Sequence, residues 1–146
     1  MSDRRSDPNG FDDFVIEEFR ANGGVVGGEL ADMPLLLLTT NDARSGRART
    51  TPLAYHRRRG RYLVIASNGG APKNPAWFRN LERDPHVTIE VGGETFAATA
   101  RILDSSERDD AFATIAAKAP SADAFQAKAA RTIPVIELVP LDRRRR

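Results

Sequence analysis

Val87-Thr88-Ile89-Glu90-Val91, then Gly92-Gly93, then Thr95-Phe96-Ala97-Ala98-Thr99-Ala100-Arg101-Ile102-Leu103 is the stretch whose reading decides the fold. Apolar and polar residues alternate on both sides of a Gly-Gly pair, the pattern of two half-buried strands joined by a tight hairpin. Upstream, Pro34-Leu35-Leu36-Leu37-Leu38-Thr39-Thr40 is too short for a free-standing helix and ends in β-branched residues. It is expected as a strand buried on both faces. Arg49 to Arg57, the turn Arg58-Arg59-Gly60 and the run Arg61 to Ser67 read as a second hairpin, and Ile133 to Val139 is a last strand before Pro140.

Helices fill the intervals. Asp12 to Arg20 is amphipathic, with Phe11, Phe14, Val15, Glu18 and Phe19 near one face and acidic residues in the first turn, where they complement the helix dipole. Asn22-Gly23-Gly24 ends it, and Val25-Val26 between glycine pairs is expected as a brief extended piece or hairpin edge. A short helix from Asn74 to Arg83 is predicted with Asn74 as its cap and Pro75 at its first position. Residues 105–119 and 121–130 are alanine-rich helix candidates split by Pro120. Six or so strands joined mostly by hairpins, with helices at the edges, specify a small antiparallel barrel of the α+β class.

At 146 residues the chain suits one domain, expected over 11–141, with a flexible polar N-terminus at 1–10 and a basic tail at 142–146. No cysteine is present, which excludes disulfides, thiolate metal sites and a cysteine nucleophile. His56 and His86 are the only histidines and lack a companion carboxylate pattern, so no metal site is expected. The first ten residues lack the apolar core of a secretory signal, and the run Leu35 to Leu38 is far too short to span a membrane. The expected location is the cytoplasm. The amphipathic first helix and Arg143 to Arg146 are the two features compatible with peripheral membrane contact, although a four-arginine end also reads as a solvated terminus.

Charge is distributed unevenly. The formal net charge is only +2, yet between Asp42 and Glu82 there are nine basic residues and no acidic one. Such a local concentration of positive charge steers and holds an anion. Within it, Arg44-Ser45-Gly46-Arg47-Ala48-Arg49-Thr50-Thr51-Pro52 offers backbone N–H groups, hydroxyls and guanidinium forks to a phosphate, unless it is simply a solvated arginine turn. The segment Ser67-Asn68-Gly69-Gly70-Ala71-Pro72-Lys73-Asn74-Pro75-Ala76-Trp77 offers a serine at a strand end and glycines that permit close backbone approach, which suits a planar ring. Trp77, spaced with Phe78 and Leu81, also reads as core, and Lys73 either pairs with a phosphate or faces water.

Leu36-Leu37-Leu38-Thr39-Thr40, Arg44-Ser45-Gly46-x-x-Arg49-x-x-Pro52-Leu53 and Ala66-Ser67-x-Gly69-Gly70-Ala71-Pro72-Lys73-Asn74-Pro75-x-Trp77-x-x-Asn80-Leu81 together resemble the deazaflavin-dependent nitroreductase family. The likeness continues through Pro85, Val87, Val91, Ala100-Arg101 and Arg131-Thr132-Ile133-Pro134-Val135, covering about residues 11 to 140. It implies a split β-barrel related to flavin-binding oxidoreductases, using coenzyme F420 (8-hydroxy-5-deazaflavin) in preference to FMN. It also implies that Arg44, Ser45, Arg49, Thr51 and Pro52 grip the phosphate and acidic tail, with Lys73 as a further cation. The ring is implied to lie along Ala66, Ser67, Asn68, Ala76, Trp77 and Asn80. Two departures stand out. Asn68 replaces a lysine of many relatives, and the tyrosines that wall the substrate pocket of better-known members are missing at Ala119, Ala122 and Phe125.

The implied activity is hydride transfer from reduced deazaflavin to a quinone, enone or nitro acceptor, with the protein orienting the reactants. Ser67 is the candidate to hydrogen-bond the ring or developing anion, and Tyr55 or water the candidate proton source, with Tyr55 reading equally as barrel packing. A non-catalytic deazaflavin or FMN carrier is the alternative; a nucleic-acid-binding barrel is the weaker third reading, because the basic stretch interleaves few aromatics. The expected partner is a small-molecule electron acceptor, with no nucleic acid, for a monomer or homodimer.

Overall fold

The computed structural model describes residues 11–28 and 33–141. The expected flexible N-terminus at 1–10, the basic tail at 142–146 and the side chain of Phe11 lie outside the described residues.

The elements run α1 (Phe11–Ala21), β1 (Leu35–Asn41), β2 (Ala48–Ala54), β3 (His56–Arg58), β4 (Arg61–Ile65), α2 (Ala76–Arg83), β5 (His86–Val91), β6 (Glu94–Ile102), α3 (Ser105–Lys118), α4 (Ser121–Ala129) and β7 (Val135–Pro140). All seven strands form one antiparallel sheet in the order β2-β1-β5-β6-β7-β4-β3. The β5–β6 hairpin keeps the register read from its alternation, Val91 opposite Glu94 across Gly92-Gly93.

The sheet ends explain the barrel. β2 and β3 stand at opposite ends of the strand order, yet only Tyr55 separates them in sequence. The sheet therefore curls until its two edges meet where the chain crosses at Tyr55, and the seam between them is the split. This revises the expected hairpin of Arg49–Arg57 with Arg61–Ser67. β2 pairs along its whole length with β1, Leu36 opposite Leu53 and Thr40 opposite Arg49, and only His56–Arg58 pairs with β4. Two strands occupy the run read as one.

Three apolar clusters account for the strand sequences. Leu36 and Leu38 of β1 point into the barrel with Tyr62, Val64, Ala66, Val87, Ile89 and Leu138, whereas Leu35 and Leu37 point outward beneath Val15 and Phe19 of α1. Burial on both faces is why a four-leucine run is a strand. β4 splits likewise, Tyr62 and Val64 inward and Leu63 outward beneath Ala111, Phe112 and Ile115 of α3 and Ala122 of α4. Arg20 of α1 clamps Glu90 of β5 through Nε and Nη2 at 2.9 and 2.7 Å.

Two local expectations change. Phe14 is 61% exposed, because α1 turns Val15 and Phe19 to the sheet and the phenylalanine falls on the outer side. Val25 and Val26 form no strand; Val26 is buried against α1, and Gly24 approaches Gly92 so closely that a Cβ there would stand 2.5 Å from the Gly92 Cα. That contact ties the end of α1 to the β5–β6 turn.

Candidate functional site

A cleft of about 290 Å³ opens along the seam. β2 contributes Pro52, Leu53 and Ala54, β3 contributes His56, and β4 with its extension contributes Ile65 and Ser67. Ile115, Ala119, Ala122 and Phe125 of α3 and α4 form an apolar wall, and Asp12 and Val15 of α1 flank the cleft. Two distant sequence segments, represented by Pro52 and Ser67, are thus brought together. The positions noted for their missing tyrosines, Ala119, Ala122 and Phe125, face the same space.

The β1–β2 loop organises itself. The Asp42 carboxylate accepts the backbone N–H groups of Arg44 at 2.8 Å and Ser45 at 3.0 Å, and the Gly46 N–H bonds the Asp42 carbonyl at 2.9 Å. The Arg47 N–H reaches Ser45 Oγ, and the Ala43 N–H reaches Asn80 Oδ1 at 2.9 Å. Five consecutive amide donors are consumed inside the protein. The N–H groups of Ser45 and Arg44, with a smaller attraction from Arg49, hold the Asp42 pKa below the usual carboxylate range. This corrects the expectation of a backbone phosphate cradle. What the loop presents is side chains: Arg44, Ser45, Arg47 and Arg49 are exposed, and only Arg49 has an ionic partner among the described residues, Asp42 at 3.6 Å.

Asn80 fixes the loop from below. It is 5% exposed, donates Nδ2–H to Thr40 Oγ1 at 3.1 Å and accepts from Ala43, so its amide spans from α2 to the end of β1. Trp77 is buried on the barrel side of the same helix, edge-on to Phe78. Thr51 and Pro52 lie along β2 opposite Leu38 and Leu37, and Ala76 opens α2 on the surface. Pro75, in extended conformation, is the cap of α2, so the helix starts one residue later than expected and Asn74 is free for another task.

That task is binding Arg131. Its Nη1 donates to Asn74 Oδ1 at 2.6 Å, its Nε to the Ala71 carbonyl at 3.0 Å, and its Nη2 to the carbonyls of Ala66, Ser67 and Lys73 at 3.2, 3.3 and 3.1 Å. One guanidinium gathers the whole segment from Ala66 to Asn74. No carboxylate pairs with it among the described residues, and partial burial lowers its pKa. Ala130, in left-handed conformation, ends α4 and turns the chain towards this position, and the Gln126 amide holds the Arg131 carbonyl.

The two glycines of the segment differ. A Cβ on Gly70 would meet the Lys128 stem at 2.9 Å, so Gly70 serves helix packing, whereas Gly69, at φ 66°, faces open space. Asn68 is exposed and bonds the Lys73 carbonyl through Nδ2; the Lys73 ammonium is exposed. Tyr55 does not line the cleft; its ring packs edge-on against Tyr62 at 5.3 Å. Sequence reasoning missed Arg131, Asp42 and His56 as parts of this site. Arg131 had a signal only in the string that carried the family resemblance.

The described residues contain no cluster of His, Asp or Glu suited to a metal, and no described helix is long and apolar enough to cross a membrane. The model of the F420H(2)-dependent quinone reductase family matches residues 14–140. The chain belongs to that family. It is therefore an oxidoreductase whose cofactor is coenzyme F420. An F420H(2)-dependent quinone reductase of Mycobacterium tuberculosis is 35% identical over 124 residues, 82% of this chain and 83% of the relative. Among solved structures, an F420-H2 dependent reductase superposes with a TM-score of 0.67 at 34% identity, covering 77% of this chain and 99% of its own. A second, described as a domain-swapped dimer, gives 0.69 at 33% identity, with 86% and 97% covered. The split β-barrel architecture is thus shared with its relatives.

Proposed function

We propose that this protein transfers a hydride from reduced F420 to a small, flat, apolar acceptor of the quinone class, with enones and nitroaromatics as chemically related alternatives. The observation that carries the reading is the seam cleft, which joins Ser67 and Pro52 to an apolar wall while exposed arginines stand on the adjoining loop. These residues fit the cofactor. Arg44, Arg47 and Arg49, with Ser45 and Thr51, would hold the phosphate and acidic tail through charge-assisted side-chain bonds. Ala66, Ser67, Asn68 and Ala76 would edge the ring; Trp77 and Asn80 would support it from within the barrel and beneath the loop. Lys73 would add charge near the tail.

When bound, the reduced deazaflavin supplies a hydride at its C5 carbon. The protein's part is orientation and exclusion of water. Arg131 keeps the Ala66–Asn74 edge in one geometry, Ser67 presents its hydroxyl to the ring or to the developing anion, and the wall from Ile115 to Phe125 covers the acceptor. Of the two readings of Tyr55, packing is the one its contact with Tyr62 favours, so solvent reaching the cleft supplies the proton in this reading.

Titration with oxidised F420, followed by fluorescence, should show saturable binding at micromolar levels, and absence of binding would overturn the proposal. Oxidation of the reduced coenzyme should then depend on an added quinone. Binding without turnover across quinones, enones and nitroaromatics would mark the protein as a carrier.

A further inference from the structure

A carbonyl acceptor enclosed by apolar side chains loses hydration at its oxygen and needs a donor in the wall of the cleft. His56 stands there. It opens β3 immediately after the chain crosses the seam, and it pairs with Leu63. Residues directly opposed across a ladder share a face, so the imidazole lies on the side of Leu63, Ile65 and Ser67, the side that α3 and α4 cover. His56, Ile65 and Ser67 all line the cleft. Ser67 lies just past the end of β4, four residues beyond the partner of His56, so the two polar groups sit at separate points of the cleft wall.

The imidazole is half-buried and makes no hydrogen bond among the described residues. Burial, and secondarily the charge of Lys118, lowers its pKa from 6.5, so near pH 7 it is a neutral ring with one N–H to donate. A neutral donor meets a carbonyl without burying a charge. Of the other polar groups lining the cleft, Asp12 has an interaction of its own and Ser121 is on the surface.

We infer that His56 is the specificity-determining donor of the acceptor pocket: its ring N–H meets the carbonyl oxygen of a flat apolar quinone on the side remote from Ser67. This rests on the seam cleft being the acceptor site. The chain has two histidines, and His86 is exposed beside Asp84, so imidazole nitrogen resonances are readily assigned and His86 serves as an internal reference.

The experiment titrates wild-type protein with menadione while following both imidazoles by nitrogen-15 NMR, and measures KM for menadione in His56→Leu and His56→Gln. The expected result is a saturable shift of His56 alone. KM should rise about tenfold in the leucine variant, the worth of one hydrogen bond, and stay within about threefold in the glutamine variant, which keeps an N–H donor. An unmoved His56 resonance at saturating menadione, or equal KM increases in both variants, would overturn the assignment; if the leucine variant does not fold, the wild-type titration decides. F420 affinity, measured separately by fluorescence in both variants, separates any loss of cofactor binding from a loss at the acceptor. Failure of the wild type to bind F420 would instead sink the cofactor reading, so the two failures are separable.

Discussion

The β1–β2 loop and the segment from Ala66 to Asn74 both carry turn residues and basic charge, but they are held in opposite ways. The first closes on itself: Asp42 and Ser45, with help from Asn80, take up its amide donors and leave the arginines facing out. The second is held from outside by Arg131, some sixty residues away in sequence, which binds its carbonyls. A loop that satisfies its own donors presents side chains and tolerates change at each of them singly. A loop whose acceptors converge on one guanidinium has a single point of failure.

The largest effect should therefore come from Arg131→Met. Losing the fork strands several partly buried carbonyls, and we expect a stability loss of about 2–4 kcal/mol in urea unfolding, with F420 affinity falling too. Arg131→Lys keeps the charge without the fork and should recover only part of it. A loss below about 0.5 kcal/mol in the methionine variant would show that the second loop is as self-sufficient as the first.

Next in size, Arg44→Ala combined with Arg49→Ala should weaken F420 binding by roughly ten- to a hundredfold with little change in melting temperature. Fluorescence titration at two salt concentrations tests it. Undiminished affinity would remove the tail from this loop. A smaller change is expected at Asp42. Asp42→Asn retains an oxygen for the loop amides and frees Arg49, so affinity should hold or rise slightly, whereas Asp42→Ala should lower it several-fold by loosening the turn.

The smallest effect is a pH dependence from His56. Its folded pKa lies below 6.5, so the unfolded chain binds more protons in that window. The contribution to stability is complete above pH 6.5 and shrinks as pH falls towards the folded value. Wild-type protein should lose stability between pH 7 and 5 more steeply than His56→Gln, as urea midpoints would show; identical slopes would mean the imidazole is as solvated as an ordinary one.

These contrasts explain what was legible in the sequence. The Val87–Leu103 hairpin was readable because its alternation and Gly-Gly turn are local, and the leucine run because burial on two faces leaves no polar position. The break at Tyr55 was not, since β2 and β3 continue one extended run and part only because their partners lie at opposite ends of the sheet. The cation supply of the first loop was visible in composition. Its amide pattern depended on Asp42 folding back, and Asn80 and Arg131 act over 37 to 65 residues, beyond any local pattern.

The seam also has a meaning in time. β1 takes β5 as its second neighbour, and β4 takes β7, about seventy residues further along the chain. Such non-local pairing must overcome loop-closure entropy before contacts compensate for it, and it slows folding. The cleft draws its lining from residues spread between Asp12 and Phe125, so its shape depends on these long-range pairings holding.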